Sequence, residues 1–128
     1  MPSFRDDVRP LPPELSPWLG SGPRREWTGR LATVIELDLP GLTWLLDLPL
    51  FPAPDGTPFR IRPLDVVDGP HLALAEHADL TVPLDVAWVG NRFVVLDGLH
   101  RLLKAARLGR RTLPARVVAS EVRLRRAA

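Results

Sequence analysis

Cysteine and tyrosine are missing from this 128-residue chain, lysine occurs once, at Lys104, and long apolar runs are lacking. Without cysteine there is no disulfide framework, no thiol nucleophile and no zinc–thiolate site, and the simplest compartment is cytoplasmic. Asp47 and several prolines interrupt the best apolar stretch, Leu42 to Phe51, well short of the roughly 20 residues of a membrane span, so no membrane partner is expected. The first residues, with Arg5, Asp6, Asp7 and Arg9 among prolines, carry no signal-peptide segment. The sequence pI near 10.3 reflects the missing tyrosine, cysteine and lysine, and the net charge of +2 by itself predicts no partner. No Walker loop or dinucleotide fingerprint occurs, and none of the four serines, at positions 3, 16, 21 and 120, has a nucleophile-elbow context.

What is present suits one domain, with 45% of residues hydrophobic. Of the 15 prolines, 13 lie between Pro2 and Pro70, so the first half should be rich in turns and extended segments and the second in regular structure. Residues 1–24 read as a Pro-rich N-terminal arm, and 25–128 as the domain. From Thr28 to Pro40 the pattern fits both a helix (Leu31, Val34, Ile35) and a strand (Leu31, Thr33, Ile35, Leu37, Leu39), with the helix preferred. Trp44 to Leu50 reads as extended, residues 53–58 as a turn, Phe59 to Ile61 as a short strand, and Pro63 as the opening of a helical turn. Pro70 to Ala78 reads as a short helix with Leu72, Ala75 and Leu74 inward.

The second half is more sharply patterned. Leu84 to Val89 and Arg92 to Leu96 are strands joined by Gly90-Asn91, a two-residue hairpin connection. Leu99, Leu102, Leu103 and Ala106 repeat at helical spacing until Gly109, which stands where a C-cap glycine belongs, and Leu113 to Ala119 is a returning strand. The expected class is α+β, a small mixed sheet with helices packed against it.

The turn Asp97-Gly98-Leu99-His100-Arg101 carries the chemical signal. A strand there delivers a carboxylate and a glycine to the first turn of a helix, where unpaired N–H groups and the positive end of the helix dipole favour an anion, usually phosphate. Arg101 adds a phosphate-binding fork, His100 a donor, and Lys104 a cation one turn on, while Gly98 lets backbone approach a ligand and Asp97 can hold Mg²⁺. The plain alternative is an amphipathic helix with Asp97 as its N-cap and His100, Arg101, Lys104 and Arg107 as its solvated face.

With its Val-rich strand, the following Leu-x-x-Ala-x-x-Leu-Gly and the Leu-Pro-Ala-Arg-Val-Val return, this run resembles the Asp-Gly-x-His-Arg motif of the ParB/sulfiredoxin-like superfamily. The similarity spans about residues 59–119, most specifically 82–118. It implies a ParB/sulfiredoxin-like fold and a nucleoside triphosphate or diphosphate bound with Mg²⁺: phosphate contacts at Gly98, His100 and Arg101, Lys104 nearby, and a metal role for Asp97. Three departures narrow it. Sulfiredoxins need a cysteine where this chain has Leu99, which removes that activity. The Gly-Glu-Arg-Arg form of partition proteins is absent and the chain stops soon after its last strand, so sequence-specific DNA reading is not expected. Free-serine kinases carry a catalytic acid upstream of the motif, for which Glu76, Asp79, Asp68 and Asp65 are candidates, with His100 beside them as a further catalytic residue. A Mg²⁺-dependent NTPase or small-molecule phosphotransferase is the expected function.

His71 and His77, six residues apart, do not share a helical face and are expected on the surface or at a cap. The four tryptophans are expected to pack rather than to stack bases. Residues 98–128 hold nine basic side chains and one acidic, against eight and fourteen in 1–97, so basic charge gathers from the motif onward. The tail Arg123, Arg125 and Arg126 suits a weak nucleic-acid contact, and the alternative function is therefore a non-catalytic module contacting nucleic acid or a protein partner.

Overall fold

The structure, a computed structural model, describes residues 33–120. The N-terminal arm 1–24 and the basic tail lie outside the described residues.

Thr33 leads into β1 (Val34–Asp38), a strand where the sequence favoured a helix. The β-branched pair Val34-Ile35 suits a pleated surface, and β4 (Thr112–Ser120) provides an edge that a helix here could not complete. The two pair antiparallel, Val34 opposite Arg116 and Asp38 opposite Thr112. A second departure follows directly. Trp44 to Leu50 is not extended: 3₁₀ turns run over Leu39–Gly41 and Thr43–Asp47. The cause is a leucine at every third position. Leu42, Leu45 and Leu48 each donate a backbone N–H to the carbonyl three residues back, which puts Leu39, Leu42, Leu45 and Leu48 on one side, all buried.

Phe59 to Ile61 contributes a single antiparallel bridge, Phe51 to Ile61, rather than a strand. Pro63–Asp65 forms the expected helical turn, of 3₁₀ type. Arg62 locks the two 3₁₀ regions together, forked onto Asp65 at 2.9 and 3.0 Å and reaching Asp47 at 2.6 Å. Helix α1 (Gly69–Glu76) buries Ala75 and half-buries Leu72, but Leu74 points outward.

The hairpin formed by β2 (Leu84–Val89) and β3 (Arg92–Asp97) turns through Gly90, whose φ of +65° a side chain would resist. From β3 the chain enters α2 (Leu99–Arg107), turns at Gly109 and returns along β2 as β4, now parallel to it. The sheet order is β1-β4-β2-β3, a four-stranded mixed sheet with two helices, so the fold is α+β. Leu102, Leu103 and Ala105 of α2 share one buried cluster with Leu84, Val86 and Ala87 of β2 and with the 3₁₀ leucines. Each fully buried leucine contributes about 1.5–3 kcal/mol, and this cluster holds the helix over the sheet.

The outer side of α2 ties down a long connection. Arg107 donates to the Val66 carbonyl, Lys104 to those of Glu76 and Ala78 at 2.9 and 2.7 Å, and Arg101 to those of Val82 and Pro83 at 3.0 and 2.6 Å. Lys104 thereby satisfies carbonyls at the C-terminal end of α1, which the helix leaves unpaired. Charged hydrogen bonds contribute about 1.5–3 kcal/mol, so Lys104→Met should raise amide exchange across Ala73–Ala78 roughly tenfold or more while leaving the β2–β4 amides unchanged. Equal acceleration in helix and sheet, measured by hydrogen–deuterium exchange, would contradict a local brace.

Candidate functional site

At the end of the β2–β3 pair a bulge shifts the register: Val86 faces Val95, yet Asp85 faces Asp97, and Leu96 is left without a partner. Bulges re-aim side chains, and this one sets two carboxylates opposite each other at the mouth of the helix. Each has its own cation. Asp85 is held by Arg116, its neighbour on β4, through Nε at 3.0 Å and a second nitrogen at 2.8 Å. Asp97 accepts from Arg101 at 3.3 Å.

Asp97 does not cap α2. The N-cap is Gly98, with φ +118°, and no side chain caps the helix. The first helical bond runs from Leu102 N–H to the Gly98 carbonyl, so the amides of Leu99, His100 and Arg101 have no acceptor within the helix. Gly98 is required by its own neighbours. A Cβ at this position would meet Leu84 Cδ2 at 2.5 Å and the Arg101 guanidinium at 3.1 Å.

The uncapped turn opens onto a groove of about 240 Å³. Asp97, Gly98, His100 and Arg101 line one side; Asp79 and the apolar side chains Leu74, Ala78 and Val82 line the other. Of the residues singled out from the sequence, the fold thus brings together Asp97, Gly98, His100, Arg101 and Asp79. Glu76 and Lys104 are not among the lining residues: the Glu76 side chain is exposed, and its carbonyl, not its carboxylate, is what Lys104 engages. Asp68 and Asp65 are also elsewhere, Asp68 at the start of α1 and Asp65 paired with Arg62.

Arg101, whose side chain is only 15% exposed, spends both NH1 hydrogens on the Val82 and Pro83 carbonyls. Its Nε–H and one NH2 hydrogen remain for a ligand. Asp79 accepts from both the amide and the hydroxyl of Thr81, at 2.9 and 2.6 Å. Those two bonds, aided by the charges of Lys104 and Arg101, hold its carboxyl below the usual range. A carboxylate so stabilised is a poor base and a good electrostatic or metal-binding group. Burial and the neighbouring His71 hold His100 below the usual imidazole range, which favours its neutral form.

His71 is the neighbour of His100 that sequence spacing does not reveal. Its Nδ1 lies 3.1 Å from His100 Nε2, its Nε2 lies 3.0 Å from the Pro52 carbonyl oxygen, and Phe51 stacks on both imidazoles at 4.4 and 4.5 Å. No local pattern announces a pair drawn from α1 and α2. His77 ends α1 as its C-cap, in keeping with the expected capping role.

Among the described residues no three His, Asp or Glu side chains gather as a metal cluster. Asp79 and Asp97 supply hard oxygen ligands to the one groove. Two carboxylates are a donor set that suits Mg²⁺, and they do not make a closed protein cage.

No family model matches the chain, and no curated protein sequence matches it.

Strain and crowding at Gly98 can be separated. Gly109 also has positive φ, +71°, but nothing within 4 Å of a Cβ. Positive φ costs a side chain about 1–3 kcal/mol, so Gly109→Ala should lose that amount in urea denaturation and Gly98→Ala distinctly more. Equal losses would mean that Leu84 and Arg101 yield freely to the new methyl group.

Proposed function

We propose that this chain is a ParB/sulfiredoxin-like domain that binds the phosphate end of a nucleotide with Mg²⁺ in the groove at Asp97–Arg101, and acts as an NTPase or small-molecule phosphotransferase. The observation that carries this reading is the uncapped N-terminus of α2: three backbone N–H groups without helical acceptors, in the turn whose residues Gly98, His100 and Arg101 line an open groove. A capping carboxylate would have cancelled that anion site. Asp97 instead faces Arg101, which offsets the repulsion an unpaired carboxylate would exert on phosphate.

Roles follow from the chemistry of each group. The amides of Leu99, His100 and Arg101 and the remaining Arg101 donors bind phosphate oxygens, most strongly where charge builds up during transfer. Asp97 and Asp79 are the groups that would hold the metal, which would supply positive charge to offset that of the phosphate. His100, neutral and at the groove, accepts the proton of the attacking hydroxyl or water. Leu74, Ala78 and Val82 offer an apolar wall to the remainder of the ligand.

Isothermal titration with ATP, ADP and CTP, each with and without Mg²⁺, tests the proposal. Mg²⁺-dependent heat is expected for the wild type, with affinity falling about tenfold or more in His100→Ala and Arg101→Ala, the size of one lost charged hydrogen bond. Thermal melts of both variants control for the Arg101 braces to Val82 and Pro83. Absence of heat with every nucleotide would reject this reading. Salt-sensitive binding to random DNA in its place would favour the non-catalytic module.

A further inference from the structure

We infer that His71 is the positioning partner of His100: it fixes which nitrogen of His100 carries hydrogen, and it takes over the proton that His100 receives at the groove. The Pro52 carbonyl can only accept, so His71 Nε2, 3.0 Å away, carries hydrogen. In neutral His71 the Nδ1 is then bare and accepts from His100 Nε2–H across 3.1 Å. Neutral His100 is left with a bare Nδ1, which has no partner among the described residues, on a ring that lines the groove.

The stacking keeps this arrangement in register. The two imidazoles lie within 16° of one plane with centroids 5.4 Å apart, as rings do when they meet nitrogen to nitrogen. Phe51 lies against both, at 5° and 11°, so neither ring can turn out of line without leaving the stack. A shared metal ion would need about 2.0–2.1 Å to each nitrogen, more than this in-line gap accommodates.

The proton balance is one for one. A groove hydroxyl or water gives a proton to His100 Nδ1, and His100 passes its Nε2 proton to His71 Nδ1. His100 ends neutral in its other tautomer, and the positive charge rests on His71, whose Nε2–H still donates to Pro52. Burial of His100 disfavours charge on that ring, in the same direction. The charged groups lining the groove with His100 are Asp79, Asp97 and Arg101. Those touching His71 in the stack, Phe51 and the Pro52 carbonyl, add no charge. The inference rests on the proposed groove chemistry only for the source of the proton.

Long-range ¹H–¹⁵N spectra of the full chain without nucleotide test the pair directly. Near pH 8 both rings should be in the Nε2–H form, with the His100 Nε2 proton slow to exchange. As pH falls the two should titrate as a coupled pair: the first proton appears on His71 while His100 switches to Nδ1–H. His71→Phe keeps an aromatic ring against Phe51 and removes both nitrogens, so His100 should then titrate in one step with no tautomer switch. A wild-type His100 in the Nδ1–H form near pH 8, or two independent titrations, would overturn the inference, and the wild-type spectra decide this even where the variant does not fold. Titrating the same sample with Mg–ATP separates the two proposals, since missing heat counts against nucleotide binding and leaves the imidazole pair to its own spectra.

Discussion

The site depends on a row of cations that are anchored to backbone carbonyls. Arg101, Lys104 and Arg107 recur every three residues along α2, and each reaches main-chain carbonyls of the connection between residues 66 and 83. That connection includes α1 and little other regular structure, so its carbonyls would otherwise depend on water. By fastening it, α2 sets the groove's far wall, Leu74 to Val82, at a fixed distance from its own N-terminus. It also brings His71, carried on α1, against His100. One helix face thus builds both sides of the groove, and the charge that the sequence offers for phosphate is partly spent on making the cleft.

This explains which parts of the molecule could be read from sequence. The hairpin, α2, the Gly109 stop and the returning strand depend on local signals, and they stand within a residue or two of the expected limits. β1 stands where the pattern favours a helix because its ambiguity is settled by β4, at the other end of the described chain. The 3₁₀ region departs from its expected extended form for a different reason. Its leucines at 39, 42, 45 and 48 have a period of three, which matches neither the strand nor the α-helix template. That period is visible in the sequence and is the signal to look for.

The candidate site was legible to the same extent and for the same reason. Asp97 to Arg101 are contiguous, so their approach to one helix mouth follows from the strand and helix alone. Asp79 arrives through the fastened connection, which no local rule predicts. Glu76, its neighbour in sequence, falls outside the groove because the end of α1 presents its carbonyl to Lys104. The role of Gly98 also changed in kind: what crowds its missing side chain is Leu84 and Arg101, so the residue that suits close approach of a ligand is first a condition of packing.

Charge accounting in the groove sets what it can bind. Asp97 is answered by Arg101, while Asp79 is held ionised by Thr81 and by the nearby Lys104 and Arg101 charges. The lining side chains therefore carry two negative charges and one positive, with His100 neutral. Such a cleft attracts an anion through backbone amides rather than through net side-chain charge, and a bare phosphate is poorly matched to it. On the proposed reading a phosphate accompanied by a divalent cation is well matched, because the cation would meet the carboxylates while the anion met the amides. The same arithmetic makes the protonation of His100 consequential. A proton kept on that ring would cancel the lining's net negative charge, and passing it to His71 would leave that charge in place to meet the proposed cation.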